Sequence, residues 1–210
     1  FREANLMRTT VTDQFHRPLQ DLRLSVMDRC NFRCPYCMPK EAFGDGYRFL
    51  SSQERLSSPE TLRLARLFAG LGVRKLRITG GEPLLRAGLA DLIGDLSLVP
   101  GIEDIALTTN GVLLKQHAAA LQAAGLRRVT VSLDSIDSAV FRQLSGGFDG
   151  LPQVLEGIEA ALLAGLSPVK LNCVVHRGVN EAGVLDLVER FRGTGVTVRF
   201  IEYMDVGERH

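Results

Sequence analysis

The stretch Val73-Arg74-Lys75-Leu76-Arg77-Ile78-Thr79-Gly80-Gly81-Glu82-Pro83 alternates basic or hydroxyl side chains with branched apolar ones, then breaks on two glycines. Period-two alternation marks a strand, and a glycine pair before proline marks a turn. Working outward, the same pattern recurs, so strands are expected over 22–27, 73–79, 104–108, 128–133, 169–176 and 196–202. Apolar residues at helical spacing between them predict helices over 58–71, 85–96, 113–124, 139–144, 152–164 and 181–192. Ser58 reads as the N-cap of the first, with Pro59 at its first turn, and Gly72 and Gly125 read as helix stops. Strands that alternate with helices imply right-handed βαβ units and a parallel sheet.

A doubly wound sheet and a partial barrel both satisfy that order, and the two strand faces separate them. One face carries Leu22, Leu24 and Val26, Leu76 and Ile78, Ile105 and Leu107, Val129 and Val131, Leu171 and Cys173, and Val198 and Phe200. It is expected to meet the helices. The other carries Arg23, Lys75, Arg77, Thr108, Ser132, Lys170, Asn172 and Arg199, with Asp134 read as the only acid among them. A buried parallel sheet is ordinarily apolar on both faces, and a closed barrel fills its interior with branched side chains. A polar inner face on nearly every strand instead predicts an α/β fold, a partial (β/α)6 TIM-like barrel around a wet, basic cavity. Cations in such a cavity need partners, and arginine forks match paired phosphate or carboxylate oxygens. A polyphosphate or similarly anionic substrate follows. The bland alternative for any one of these residues is a strand end in solvent.

Three of the four cysteines fall together in Asp28-Arg29-Cys30-Asn31-Phe32-Arg33-Cys34-Pro35-Tyr36-Cys37-Met38-Pro39. Three thiolates do not close a structural zinc site, which wants four ligands, whereas a four-iron cluster on three cysteines leaves one iron open to a small molecule. Cys173 reads as a small buried apolar residue. His16, His117 and His176 have no metal-ligand spacing, and Gly146-Gly147 reads as an ordinary loop. The chain has 210 residues, 45% of them apolar and 23% charged, with a net charge of +1, which does not mark a nucleic-acid binder. Clustered cysteines favour a reducing compartment over a disulfide framework. No apolar run reaches the ~20 residues of a membrane span, and the N-terminus lacks a signal-like apolar core, so a cytoplasmic location is expected.

The Cys30-x-x-x-Cys34-x-x-Cys37 spacing with Tyr36 before the third cysteine, and the Gly80-Gly81-Glu82-Pro83 turn after a strand, resemble the radical S-adenosylmethionine (SAM) superfamily. With Arg77-Ile78-Thr79, Thr108-Thr109-Asn110-Gly111, Val131-Ser132-Leu133-Asp134 and Arg199-Phe200-Ile201-Glu202-Tyr203-Met204, the chain is similar to the GTP 3′,8-cyclase family (MoaA type) of molybdenum-cofactor biosynthesis. The resemblance implies a lyase in which Cys30, Cys34 and Cys37 hold a [4Fe-4S] cluster. SAM on the open iron is reduced to methionine and a 5′-deoxyadenosyl radical, which takes the C3′ hydrogen of GTP. Closure onto C8 gives 3′,8-cyclo-7,8-dihydroguanosine 5′-triphosphate. It places Tyr36, Gly81, Ser132 and Met204 at SAM, and Arg23, Arg77, Thr108, Lys170 and Arg199 at GTP; no role carries over to Lys75. It also implies an external electron donor and a downstream cyclic pyranopterin monophosphate synthase, with no nucleic-acid or membrane partner and a homodimer as one open option.

The family continues into a C-terminal region whose three further cysteines hold a second [4Fe-4S] cluster at the guanine. This sequence has no cysteine after Cys173. Residues 1–210 are therefore expected to form the radical SAM core of a longer protein, with the guanine site incomplete. The alternatives are a radical SAM enzyme acting on a peptide or another small molecule, and a zinc-binding module.

Overall fold

The structure, a computed structural model, describes residues 11–203. Six parallel strands form one sheet in the order of the chain: β1 (Asp21–Ser25), β2 (Lys75–Thr79), β3 (Asp104–Thr109), β4 (Arg128–Ser132), β5 (Val169–Val175) and β6 (Thr197–Glu202). Every strand pairs with its neighbour in sequence, and β1 and β6 are the two ends of the sheet. The architecture is α/β, a partial TIM-like barrel of six parallel strands. Helices α1 (Lys40–Phe43), α2 (Ser58–Gly70), α3 (Leu89–Ser97), α4 (Leu114–Ala123), α5 (Ser138–Leu144), α6 (Leu151–Leu163) and α7 (Val184–Phe191) lie in the connections.

The helix-facing side of the sheet is the core. Leu76, Ile78, Leu107, Val131 and Leu171 are fully buried there, with Ile105, Val129 and Cys173 almost so. Each such Leu or Ile contributes about 1.5–3 kcal/mol by leaving water. Cys173 is the buried small residue its position predicts. At the β6 end the apolar face is only partly covered. Phe200, expected to meet the helices, is 42% exposed, because β6 has a neighbouring strand on one side only.

Several element boundaries differ from the pattern reading, each for a local reason. The cap of α2 is Ser57 and not Ser58: Glu60 returns a side-chain bond to the Ser57 N–H, and the Glu60 N–H is bonded by the Ser57 hydroxyl, a closed capping box. The helix expected from 85 begins at Leu89. Glu82 accepts from the Leu84 N–H and turns Pro83–Leu85 into a single 3₁₀ turn, and Gly88 then enters the helix at φ +69°. The helix expected from 181 likewise opens with a 3₁₀ turn, Glu181–Gly183, before α7. The short α1 lies between the cysteine loop and α2, where the pattern reading places no helix.

Because the sheet is all parallel, every strand delivers its following loop to one end, the end where parallel-sheet sites are built. Removing the capping hydroxyl with Ser57→Ala is expected to cost about 1 kcal/mol, lowering Tm by about 2–4 °C for a chain of this size, measured by calorimetry.

Candidate active site: a cysteine loop over a basic strand face

The cysteine loop leaves β1 and is held by the ends of the following strands. The Gly81 N–H donates to the Met27 carbonyl (2.6 Å) and the Glu82 N–H to the Arg29 carbonyl (2.7 Å), so the two chains stay paired beyond β1 and β2. Both glycines are dictated by this contact. A Cβ on Gly81 would stand 2.3 Å from the Arg29 oxygen, and one on Gly80, at φ +154°, 2.3 Å from the Met27 oxygen. Glycine is therefore required at position 81 by the fold itself, before any ligand is considered. On the far side, the Arg33 N–H donates to the Ser145 carbonyl (3.0 Å), and a Cβ on Gly146 would meet the Arg33 oxygen at 2.1 Å. The Gly146-Gly147 loop is thus the second clamp on the cysteine loop.

Two buried carboxylates complete the frame. Glu82 is fully buried and accepts from the Thr109 hydroxyl (2.7 Å), the Asn110 N–H (2.7 Å) and the Leu84 N–H (2.9 Å). Burial pushes its pKa up, against those three donors. Asp134, just past β4, accepts from the Tyr36 hydroxyl (2.5 Å) through one oxygen and from the Val174 N–H (2.8 Å) through the other. Its carbonyl accepts from Asn180 Nδ2 (2.8 Å). Burial raises the Asp134 carboxyl and, with the neighbouring Asp134 charge, holds the Tyr36 phenol far above its ordinary value. Tyr36, Cys34, Ser132 and Asp134 line one small cleft with Phe32 and Phe141. Tyr203 packs edge-on to Tyr36 and stacks on His176, 4.4 Å between centroids.

The three cysteines are free thiols, Cys30 and Cys34 half-buried and Cys37 exposed. Burial pushes all three up, Cys34 to about 12 with help from the Asp134 charge and the other two cysteines. Three thiols on one loop are the sulfur donors that an iron–sulfur cluster takes. Cys30 also receives donors: the Phe32 N–H at 3.4 Å and Asn110 Nδ2 at 3.8 Å. No three His, Cys, Asp or Glu side chains among the described residues converge on one ion-sized point. The thiolates of a cluster, each on its own iron, do not need to.

Beneath the loop, the register lays the basic residues out in rows. Asp21, Lys75 and Asp104 share the lowest row, and Arg23, Arg77 and Arg128 the next. Lys170 lies beside Thr130, and Arg199 beside Asn172, in the row that continues to Ser132. The expectation that Asp134 is the only opposing acid is overturned. Asp21 pairs with Arg77 (3.3 Å), and Asp104 takes Arg128 through two bonds. Both acids stand at strand starts, where Asp21 fell outside the predicted strand and Asp104 was left off the face. Arg128, also unforeseen, is part of the cluster. Lys170 is driven below its ordinary value by burial and by the charges of Arg199, Arg128 and Arg77, with Asp104 opposing them, so all three arginines lie within electrostatic reach of Lys170. Arg199 donates to the Thr130 hydroxyl at 3.5 Å, yet its buried Nε has no partner, nor has the buried Asn172 Oδ1. Arg23 is exposed on β1 and Thr108 is half-buried on β3. Met204 lies outside the described residues.

The resemblance assigns Gly81, Tyr36 and Ser132 to SAM; the structure sets Gly81 against the Arg29 carbonyl of the cysteine loop and Tyr36 and Ser132 in one cleft with Cys34, and it adds Glu82, Asn110 and Asp134 as supports of the loop that the sequence reading did not foresee. The Glu82-to-Asn110 spacing holds no short-range signal; only the adjoining strand ends bring them together.

Residues 24–191 match the family model of the Radical SAM superfamily. The chain is 56% identical over 201 residues to a GTP 3′,8-cyclase of Xanthomonas axonopodis pv. citri (strain 306), covering 96% of this chain and 60% of that protein. It is 50% identical over 201 residues to a GTP 3′,8-cyclase of Staphylococcus epidermidis (strain ATCC 12228 / FDA PCI 1200), covering 96% and 59%. The chain thus spans about 60% of the length of the curated relatives it matches. Among solved structures, Streptococcus suis SuiB bound to S-adenosylmethionine superposes with a TM-score of 0.72 at 19% identity, over 89% of this chain and 41% of that one. Methylornithine synthase (PylB) gives 0.68 at 16%, over 88% and 53%. These two share the fold.

Two outcomes are expected. In the metal-free chain at pH 8, iodoacetamide labels the exposed Cys37 before Cys34, read by peptide mass spectrometry. Gly81→Ala displaces the cysteine loop and at least halves the iron bound after reconstitution, read by iron analysis.

Proposed function

The chain belongs to the radical SAM superfamily, and on that premise we propose that it is the catalytic core of a GTP 3′,8-cyclase. Cys30, Cys34 and Cys37 would hold a [4Fe-4S] cluster. When bound, the cluster and SAM supply a 5′-deoxyadenosyl radical for removal of the C3′ hydrogen of GTP, ahead of closure onto C8. The electron comes from an outside donor.

The chain's own residues bind and orient. The observation that carries the substrate assignment is the group Arg77, Arg128, Lys170 and Arg199, which the register sets on one strand face with the three arginines in reach of Lys170. Arg77 and Arg128 are already answered by Asp21 and Asp104. Neither Lys170 nor Arg199 makes an ion pair with an acid among the described residues, Asp104 acting on Lys170 only from a distance, and the unpartnered Arg199 Nε is a donor awaiting an oxygen. A triphosphate supplies the charge and the acceptors. The 50–56% identity to proteins called GTP 3′,8-cyclase supports the same substrate. Tyr36 and Ser132 share the cleft beside Cys34, which supports their assignment to SAM. Gly81 serves that site by letting the cysteine loop close on β2.

Reconstituted anaerobically with iron and sulfide and given SAM, GTP and a reductant, the chain is expected to form 5′-deoxyadenosine but little cyclised nucleotide, both read by mass spectrometry. Lys170→Ala and Arg199→Ala are each expected to weaken GTP binding about tenfold or more, since a hydrogen bond to a charged group contributes ~1.5–3 kcal/mol. GTP affinity unchanged in both variants sinks the substrate assignment.

A further inference from the structure

We propose that Asn110 donates a hydrogen bond to the Cys30 sulfur and so raises the reduction potential of the cluster held there. The inference rests on the cluster reading above and goes beyond it to a residue to which the resemblance assigned no role.

The orientation of the Asn110 amide is fixed by its neighbours. The Val112 N–H points at one end of the amide, at 3.2 Å. A backbone N–H can only donate, so that end is the oxygen. The nitrogen must then face the other way, where it stands 2.7 Å from Asn31 Oδ1 and 3.8 Å from Cys30 Sγ. An amide nitrogen carries two hydrogens, one for each acceptor. The residue cannot drift, because its own N–H is tied to the buried Glu82 carboxylate at 2.7 Å and it is only 7% exposed. A donor aimed at a thiolate offsets the extra negative charge that a cluster gains on reduction. Hydrogen bonds to the sulfurs are one of the terms that set cluster potentials.

The test compares the 210-residue chain with Asn110→Asp and Asn110→Ser, all reconstituted anaerobically with iron and sulfide. Aspartate keeps the shape and the oxygen facing Val112 but has no hydrogen for the sulfur. Serine is neutral and too short to reach it. Iron and sulfide per chain are counted, and the cluster is titrated potentiometrically with EPR detection. Both variants are expected to retain the parent's iron content and to titrate at a more negative potential, aspartate further than serine. An unchanged potential in the loaded variants overturns the proposal. So does loss of the cluster from both, which makes Asn110 a residue that holds the loop and nothing more. A parent chain that takes up no four-iron cluster overturns the cluster reading, and this proposal with it.

Discussion

The site depends on the seam between Gly80-Gly81-Glu82 and Met27-Asp28-Arg29. Past Ser25 the first connection has no strand to continue it; Cys30 and Cys34 lie in irregular backbone and Cys37 in a turn. Two backbone bonds, Gly81 to Met27 and Glu82 to Arg29, carry the β1–β2 pairing into that irregular stretch. They form only because position 81 offers bare backbone: a Cβ there would overlap the Arg29 carbonyl. A buried N–H or C=O without a partner is costly, so the two chains satisfy each other or neither can be buried. The other strand ends add one restraint apiece: Asn110 after β3, Asp134 after β4, and Ser145 after α5.

Two of those restraints run through carboxylates withdrawn from water, which is unfavourable unless each oxygen finds donors. Glu82 has three donors and Asp134 two, drawn from segments far apart in the chain. Each acid therefore does for several loops what a single apolar contact does for one pair. Asp134 ties Tyr36, between the second and third cysteines, to the end of β5, and Asn180 comes back to its carbonyl. The cysteine loop and the late strands are consequently held by one group.

Much of this was legible from the residues. Alternation located all six strands, and it placed Arg77, Lys170 and Arg199 on one face, because period two leaves a side chain no other choice. The cap of α2 was also written in the sequence: Ser57 stands three residues before Glu60, whereas Ser58 does not, and the box follows that spacing. What pattern reading does not reach is pairing across strands. Asp21 and Asp104 sit at strand starts, where alternation is weakest, and only the register sets them one row below Arg77 and Arg128, in reach of diagonal ion pairs. Asn110 and Glu82 are polar residues in what a hydropathy pattern reads as exposed turns. They are buried because three loops meet over them.

The rows of the inner face also carry a consequence along the strand direction. Acids stand at the bottom, in Asp21 and Asp104 on either side of Lys75, and again at the top, in Asp134; between them come Arg23, Arg77, Arg128, Lys170 and Arg199. Like charges repel and unlike charges attract with a strength that falls with distance. The polyanion proposed above would therefore be pulled most strongly by the middle rows and less by either end. For that ligand the face would act as a depth stop, setting how far in a phosphate chain came to rest and so how far from the cysteine loop the remainder of the molecule was carried.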